Sequence, residues 1–399
     1  MEYPVETFSE AERARLAPHV TNLDRPVFGL LNLPETVKGA LFARYSRYQG
    51  TLRRLFLDEF ADSLHEHPDD VEGAEGDRAA ELYDRIFLGY GDDSVAQLGG
   101  MHVAAEWVSN VLTKVLQRPR IGAYLEQSTR YIAYDAPMGE NLGYRYYRDP
   151  SLGGGYEAAM DEIFDLYSAA LPEVTAWVDG TFPGDPSPAR SRAVQAKALD
   201  LLRGLLPAAS LSHMGIYASG QTYEQLILHL LAHPLPEARE TGLGILDAVK
   251  AVMPSFVARV ERPDRGGAWI DYLRERDAAG ARWAQQLGLD PASREAEADP
   301  RPSVRLLHVD GDEDRLLAAL LFEATGAAES ETLDRLATCS ADDRARMLAD
   351  LVGARENRRH RPGRGFEALR YRFEVVADYG AFRDLQRHRM LTVQWQQLT

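Results

Sequence analysis

The segment Leu116-Gln117-Arg118-Pro119-Arg120 has a near copy close to the end of the chain, Leu385-Gln386-Arg387-His388-Arg389. With Arg118 set against Arg387, Gln127 falls opposite Gln396. A second echo lies upstream. The strand-like run Val304 to His308, the turn at Asp310-Gly311 and the helical run Glu313 to Ala324 repeat the order found from Arg25 to Tyr48. An internal repeat constrains a long chain strongly, because its copies must fold alike. The expected fold is therefore α+β and helix-rich, with two copies of one module. The first spans residues 1–260, a connector fills 261–302, and the second occupies 303–399, where only its N-terminal part is present.

Local patterns fill in the elements. Arg25 to Leu31 reads as a short buried strand, and Pro34-Glu35 opens a helix with Val37, Leu41 and Tyr45 on one face. Asp69 to Asp77 reads as a loop. Ser94 is placed to cap a long helix carrying Val95, Leu98, Trp107 and Leu112 to Leu116, ended by Pro119. Arg130 to Tyr134 alternates toward a strand, and Thr181 to Pro188 is a loop. Helices are expected over Ala193 to Leu206, Tyr223 to His233, Glu237 to Met253 and, within the connector, Trp269 to Leu287. Tyr371, Phe373 and Val375 alternate as a strand, and a helix from Tyr379 leads into the second arginine cluster.

Composition narrows the partners. Of 399 residues, 45% are hydrophobic and 27% charged, ordinary for a soluble globular protein, and the formal net charge is -16. Such a field repels nucleic acid and anionic membranes. Cys339 is the single cysteine, which rules out an intrachain disulfide and suits a reducing cytoplasm. The N-terminus carries no secretory pattern, and no apolar run approaches the length of a membrane span.

Within this acidic chain, Arg118, Arg120, Glu126, Ser128 and Arg130 crowd one short stretch. Guanidinium forks stay charged and suit phosphates and carboxylates in bidentate geometry. A glutamate among them stays ionised and aims them. The pattern fits a planar, anionic small molecule; its plain structural alternative is a salt-bridged helix end followed by a strand. No histidine stands near Ser128 in sequence to activate it, so its hydroxyl is read as a hydrogen-bonding group rather than a nucleophile.

These residues resemble the signature of the flavin-dependent thymidylate synthase family, Arg-His-Arg, seven residues, then Ser, within a pattern ending Glu-x-Ser-x-Arg-Tyr. Here Arg118-Pro119-Arg120 leads to Ser128 at that spacing, and Glu126 to Tyr131 keeps the ending. Gly91 to Gln97 resembles the family's His-x-Ser-x-x-Glu segment, and Arg203 to Pro207 its Arg-x-x-Leu-Pro segment. The first copy departs at Pro119, at Asp92 and Gln97 for the upstream histidine and glutamate, and at Leu125 for asparagine. The second keeps Arg387-His388-Arg389, with Glu367 fitting the upstream glutamate, but has Trp395, Gln397 and Thr399 for the glutamate, serine and arginine. The first copy thus keeps the nucleotide half of the pattern and the second the flavin half.

The resemblance implies reductive methylation of dUMP to dTMP, with FAD as cofactor and NADPH and methylenetetrahydrofolate as co-substrates. It implies Arg118, Arg120, Glu126, Ser128, Arg130 and Arg203 as nucleotide-binding residues, with Arg130 and Ser128 as the candidate catalytic pair. Ser94, Glu367, Arg387, His388 and Arg389 are implied to hold FAD. It also implies a homo-oligomer, most simply a two-fold dimer of two-module chains. The alternative is a degenerate, non-catalytic relative that binds nucleotide or flavin, or serves as a structural partner subunit.

Other signals carry bland readings. His229 and His233 have helical spacing, but Leu230 stands where a zinc protease needs glutamate. Asp310, Asp312 and Asp314 imitate a calcium loop, yet Arg315 takes the glycine position. No metal is expected. Gly242-Leu243-Gly244 is too short for a dinucleotide fingerprint. The basic run Arg358 to Arg361 with Arg364 is a solvated loop or, more sharply, a phosphate cradle.

Overall fold

The computed structural model describes residues 6–63, 95–139, 142–289 and 301–396. It is α+β and helix-rich, and divides into two compact units, Met1–Arg294 with Arg383–Thr399, and Glu295–Phe382.

The first unit begins with α1 (Glu10–Leu16), α2 (Glu35–Tyr45) and α3 (Leu52–Leu55). Then come β1 (Gly100–Ser109), α4 (Asn110–Leu116) and β2 (Ala123–Glu126). Helices α5 (Gly154–Thr181) and α6 (Pro188–Leu202) precede β3 (Leu211–Ser219), and α7 (Gly220–Ala232), α8 (Pro236–Lys250), α9 (Pro254–Val257) and α10 (Ala268–Gln286) follow. The strands form an antiparallel sheet ordered β1-β3-β2.

Both long strands turn into helices through a serine. Ser109 Oγ accepts from Leu112 N at 3.0 Å, and Ser219 Oγ from Thr222 N at 3.4 Å. Each hydroxyl satisfies a helix-end donor that would otherwise be orphaned. Ser109 is fixed in turn by the buried Glu237, whose carboxylate accepts from its N–H and Oγ at 2.6 Å each.

One face of the sheet, with Val103, Ala105, Met214 and Ile216, is buried in a core with Val37, Leu41, Leu55, Tyr223 and Leu226. The other carries Leu125, 78% exposed, and Tyr217, 45% exposed. A second core packs Tyr134, Tyr146, Phe164 and Tyr167 against Leu199 and Leu202.

The second unit holds β4 (Ser303–Asp310), α11 (Glu313–Leu321), α12 (Glu329–Leu336), α13 (Ala341–Val352) and β5 (Arg370–Val376). Leu317, Ala318 and Leu336 form its core. The antiparallel register of β4 and β5 pairs Val304 with Val375, Leu306 with Phe373 and Val309 with Tyr371. Alternation along the strands puts these on one face, and all are exposed. After β5, α14 (Tyr379–Leu385) carries the chain back into the first unit at Arg383. Helices α4 and α14 are each seven residues long, each follows a strand, and each is separated from its first arginine by one glutamine.

The structure corrects three local expectations. Arg25 to Leu31 is not a buried strand: Val27 is exposed and the segment makes a single bridge, Val20 to Leu30. Pro26 offers no backbone donor, and the Asn22 side chain ties the segment into a turn by donating to Val27 O and accepting from Arg25 N, both at 2.9 Å. The long helix expected from Ser94 to Leu116 is a strand over Gly100–Ser109, with helix only from Asn110. The alternation of Met101, Val103 and Ala105 outweighs the helical spacing of Leu98 and Leu112. Arg130 to Tyr134 is a turn, closed by Tyr131 N donating to Ser128 O at 3.1 Å, and the strand is Ala123–Glu126. Asp69 to Asp77 and Ser94 lie outside the described residues.

Candidate functional site

Strand β2 ends at Glu126, held opposite Met214 of β3. The glutamate side chain is 3% exposed. Its Oε2 accepts from Lys114 Nζ at 2.9 Å, Gln117 Nε2 at 3.0 Å and Arg387 Nη2 at 3.0 Å, and its Oε1 accepts from Thr113 Oγ1 at 3.2 Å. Thr113, Lys114 and Gln117 come from α4 and its C-cap, which the serine turn at Ser109 aims at the strand. Arg387 comes from the far end of the sequence.

Charge follows this geometry. Burial pushes the Lys114 ammonium down to about 8, while the Glu126 carboxylate works against that shift. Burial alone would raise the Glu126 carboxyl, but Lys114, Gln117 and Arg387 together outweigh it and hold the group below its ordinary value.

The rest of the C-terminal stretch lies along the same region. Gln386 is buried and its Nε2 donates to Lys114 O at 3.3 Å. The Arg389 guanidinium sits 4.8 Å from the Tyr124 ring centroid, and that of Arg118 5.0 Å from the Trp395 ring. Arg120 Nη2 donates to Thr392 Oγ1 at 2.9 Å. His388 is exposed in a turn, its N–H donating to Leu385 O.

A second cluster gathers the other predicted residues. Arg130 and Arg203 each place Nε 3.0 Å from Asp200 Oδ1, and their Nη2 atoms lie 3.6 and 3.5 Å from Asp384 Oδ2. Ser128 Oγ accepts from Arg130 N at 3.3 Å. Gln127 Oε1 accepts from Arg145, whose guanidinium lies 5.1 Å from the Trp107 ring centroid and 4.6 Å from that of Tyr134. Trp107, at a bulge in β1 with φ 57°, donates its N–H to His213 Nδ1 at 3.1 Å. The ring proton of neutral His213 is then on Nε2. Burial first, and the Arg145 charge second, push this imidazole below its ordinary value.

Arg118, Arg120, Glu126, Ser128, Arg130, Arg203, Arg387 and Arg389 thus share the first unit: Glu126 meets Arg387, Ser128 meets Arg130, Arg130 and Arg203 share Asp200 and Asp384, and Arg118, Arg120 and Arg389 each contact a separate neighbour. Glu367 belongs to the second unit, exposed on a short 3-10 turn and paired with Arg364 at 3.3 Å. Ser94 is outside the described residues. Sequence reasoning passed over Lys114, Tyr124, Asp200 and Asp384. Only Asp200 left a local signal, its helical spacing three residues before Arg203.

Seven cationic side chains, Lys114, Arg118, Arg120, Arg130, Arg203, Arg387 and Arg389, outnumber the carboxylates of Glu126, Asp200 and Asp384 here, in a chain of net charge -16. Such a donor set fits an anionic ligand with a planar ring. Among the described residues, no group of three or more acidic, histidine or cysteine side chains could hold a metal ion, and no helix is long and apolar enough to cross a membrane.

These features define an α+β protein with a cluster of cationic side chains drawn from residues 114–130, Arg203 and residues 387–389. Residues 47–255, just over half the chain, match the family model described as thymidylate synthase complementing protein, and the chain belongs to this family, that of the flavin-dependent thymidylate synthases. It is 39% identical over 414 residues to a UPF0159 protein of Chlamydia muridarum, covering 98% of this chain and 76% of that one. It is 31% identical over 395 residues to a UPF0159 protein of Thermoplasma acidophilum, covering 91% and 74%. The flavin-dependent thymidylate synthase ThyX of Helicobacter pylori, solved with FAD and dUMP, matches at 14% identity and a TM-score of 0.36, over 54% of this chain and 89% of that one.

Proposed function

We propose that this chain is an FAD-dependent thymidylate synthase-like enzyme that converts dUMP to dTMP, with methylenetetrahydrofolate and NADPH as co-substrates. The observation that carries the reading is the meeting of the two half-motifs. The stretch with Glu126, Ser128 and Arg130 and the triplet Arg387-His388-Arg389 come together through the Glu126 to Arg387 contact. The strand, short helix and Gln-Arg-x-Arg order around α4 and α14 supports the duplicated-module organisation over residues 1–260, 261–302 and 303–399.

Each residue then has a task. Arg387, His388 and Arg389 would hold the flavin phosphates or ring, with Ser94 and Glu367 assigned on the resemblance alone. Bound FAD would supply the reducing equivalents. Arg118 and Arg120 would face the nucleotide, and Arg203 would bind its phosphate. Arg130 would stand by uracil O2, where a fixed guanidinium stabilises the negative charge that builds on the ring as C5 takes the new carbon. Ser128 would hydrogen-bond the nucleotide. Glu126, saturated by its own donors, would act by aiming Arg387. The exposed faces with Leu125 and Tyr217, and with Val304, Leu306 and Phe373, support self-association as a dimer. The single cysteine supports a reducing, cytoplasmic setting.

The second reading is a non-catalytic relative that binds nucleotide or flavin, or acts as a structural partner subunit. Pro119 in place of the motif histidine favours it. Turnover separates the two. The purified chain with FAD, NADPH, methylenetetrahydrofolate and dUMP should form dTMP, and Arg130→Lys should slow it by about 10²–10³, the cost of losing one well-placed donor. Absence of dTMP from a flavin-loaded, folded chain leaves the second reading standing.

A further inference from the structure

The two carboxylates on the Arg130–Arg203 pair are not equivalent. Asp200, from α6, touches both arginines at Nε, the inner nitrogen of each fork, at 3.0 Å. Its Oδ1 is closed off from solvent and accepts no hydrogen bond, so it holds the two guanidiniums by charge alone. Asp384, from the last turn of α14, is half-exposed and reaches the outer nitrogens at 3.6 and 3.5 Å, the second a long hydrogen bond donated by Arg203 Nη2. Both outer nitrogens converge on one atom, Asp384 Oδ2. Two forks aimed at one oxygen are the geometry an arginine pair presents to an oxyanion.

We propose that Asp384 is a specificity-determining residue of this site: its carboxylate stands in for a phosphate oxygen of the ligand, so that only a dianionic phosphate displaces it, while Asp200 is the positioning residue that keeps both forks aimed. The proposal rests on the reading of Arg130 and Arg203 as nucleotide-binding residues, moves Arg130 from uracil O2 to the phosphate that Arg203 holds, and adds what selects the ligand's charge. A phosphate monoester carries about -1.5 to -2 charges near neutral pH, against one on the carboxylate, so it wins the contest that a monoanion loses. Displacement asks for little movement. Gln386 donates to Lys114 O and Arg387 to Glu126, anchoring the backbone just beyond Asp384, so only its side chain must swing away.

Calorimetry on the full chain at low salt tests this with three probes: dUMP, the monoanionic methyl ester of dUMP, and inorganic pyrophosphate. Asp384→Asn should bind dUMP about fivefold more tightly, since a weak surface pair no longer competes. It should also narrow the preference for dUMP over the methyl ester, and Asp384→Ser should do the same. Asp200→Asn should weaken every probe. If Asp384→Asn binds dUMP no better, or leaves the preference for the dianion unchanged, the proposal is overturned, as it is if no probe binds any variant. If dUMP does not bind but pyrophosphate does, and more tightly in Asp384→Asn, the charge-selecting role stands and the nucleotide reading falls.

Discussion

Arg387 Nη2 lies 3.0 Å from Glu126 Oε2, a contact between two residues 261 positions apart in sequence. The glutamate closes β2, and the arginine opens the triplet Arg387-His388-Arg389.

Removing the carboxylate should therefore be costly. Glu126→Gln leaves Lys114 buried with no counter-charge and frees Arg387. A loss of about 3–5 kcal/mol is expected, the usual result of deleting one partner of a buried pair. Urea unfolding of the variant against the wild type measures it. A loss below about 1 kcal/mol would place Glu126 among ordinary surface ion pairs.

The buried ammonium predicts a pH signature. Burial holds Lys114 at about 8 in the folded chain, against 10.5 when exposed. Between those values the unfolded chain binds more protons, so this group makes stability rise with pH, on the order of 1–3 kcal/mol over the window. The Lys114→Met curve should lack that rise. Other groups titrate above pH 9, so the wild-type minus variant difference is the quantity to follow. A flat difference from pH 7.5 to 10 contradicts the burial argument.

Flavin binding should depend on the second triplet. Arg389→Ala is expected to weaken FAD affinity by roughly 1.5–3 kcal/mol, the worth of one hydrogen bond to a charged group. Fluorescence titration of FAD reads this directly, and an unchanged affinity removes Arg389 from the site.

Much of the fold is written locally. Pro34 and Pro234 mark the limits of α2 and α7, Pro254 opens α9, and the turn at Asp310-Gly311 separates β4 from α11. Strand β1 is harder to see, because its exposed face carries His102 and Ala104 rather than a clean polar alternation, and a bulge at Trp107 breaks the period. The arginines of the site were legible because Arg118, Arg120 and Arg130 crowd one short stretch and Arg387 and Arg389 repeat the spacing of the first two. Their carboxylate partners were not: Asp384 is distant from Arg130 and Arg203 in sequence, and nothing near Glu126 announces that Arg387 saturates it.

Self-association is the fourth expectation. The outward sheet face with Leu125 and Tyr217 and the apolar ribbon of β4 and β5 leave large side chains in water, a state that association relieves. Light scattering at micromolar concentration should give a dimer. A monomer with full flavin occupancy would contradict it.

The two half-motifs are expected to make one site for flavin and nucleotide together. The most direct measurement is the visible spectrum of the purified full chain, reconstituted with FAD and then titrated with dUMP. The expected result is a yellow protein whose flavin bands shift as dUMP binds, with saturation near one nucleotide per flavin. A chain that stays colourless after reconstitution, or one that binds both ligands while its flavin bands ignore dUMP, contradicts it.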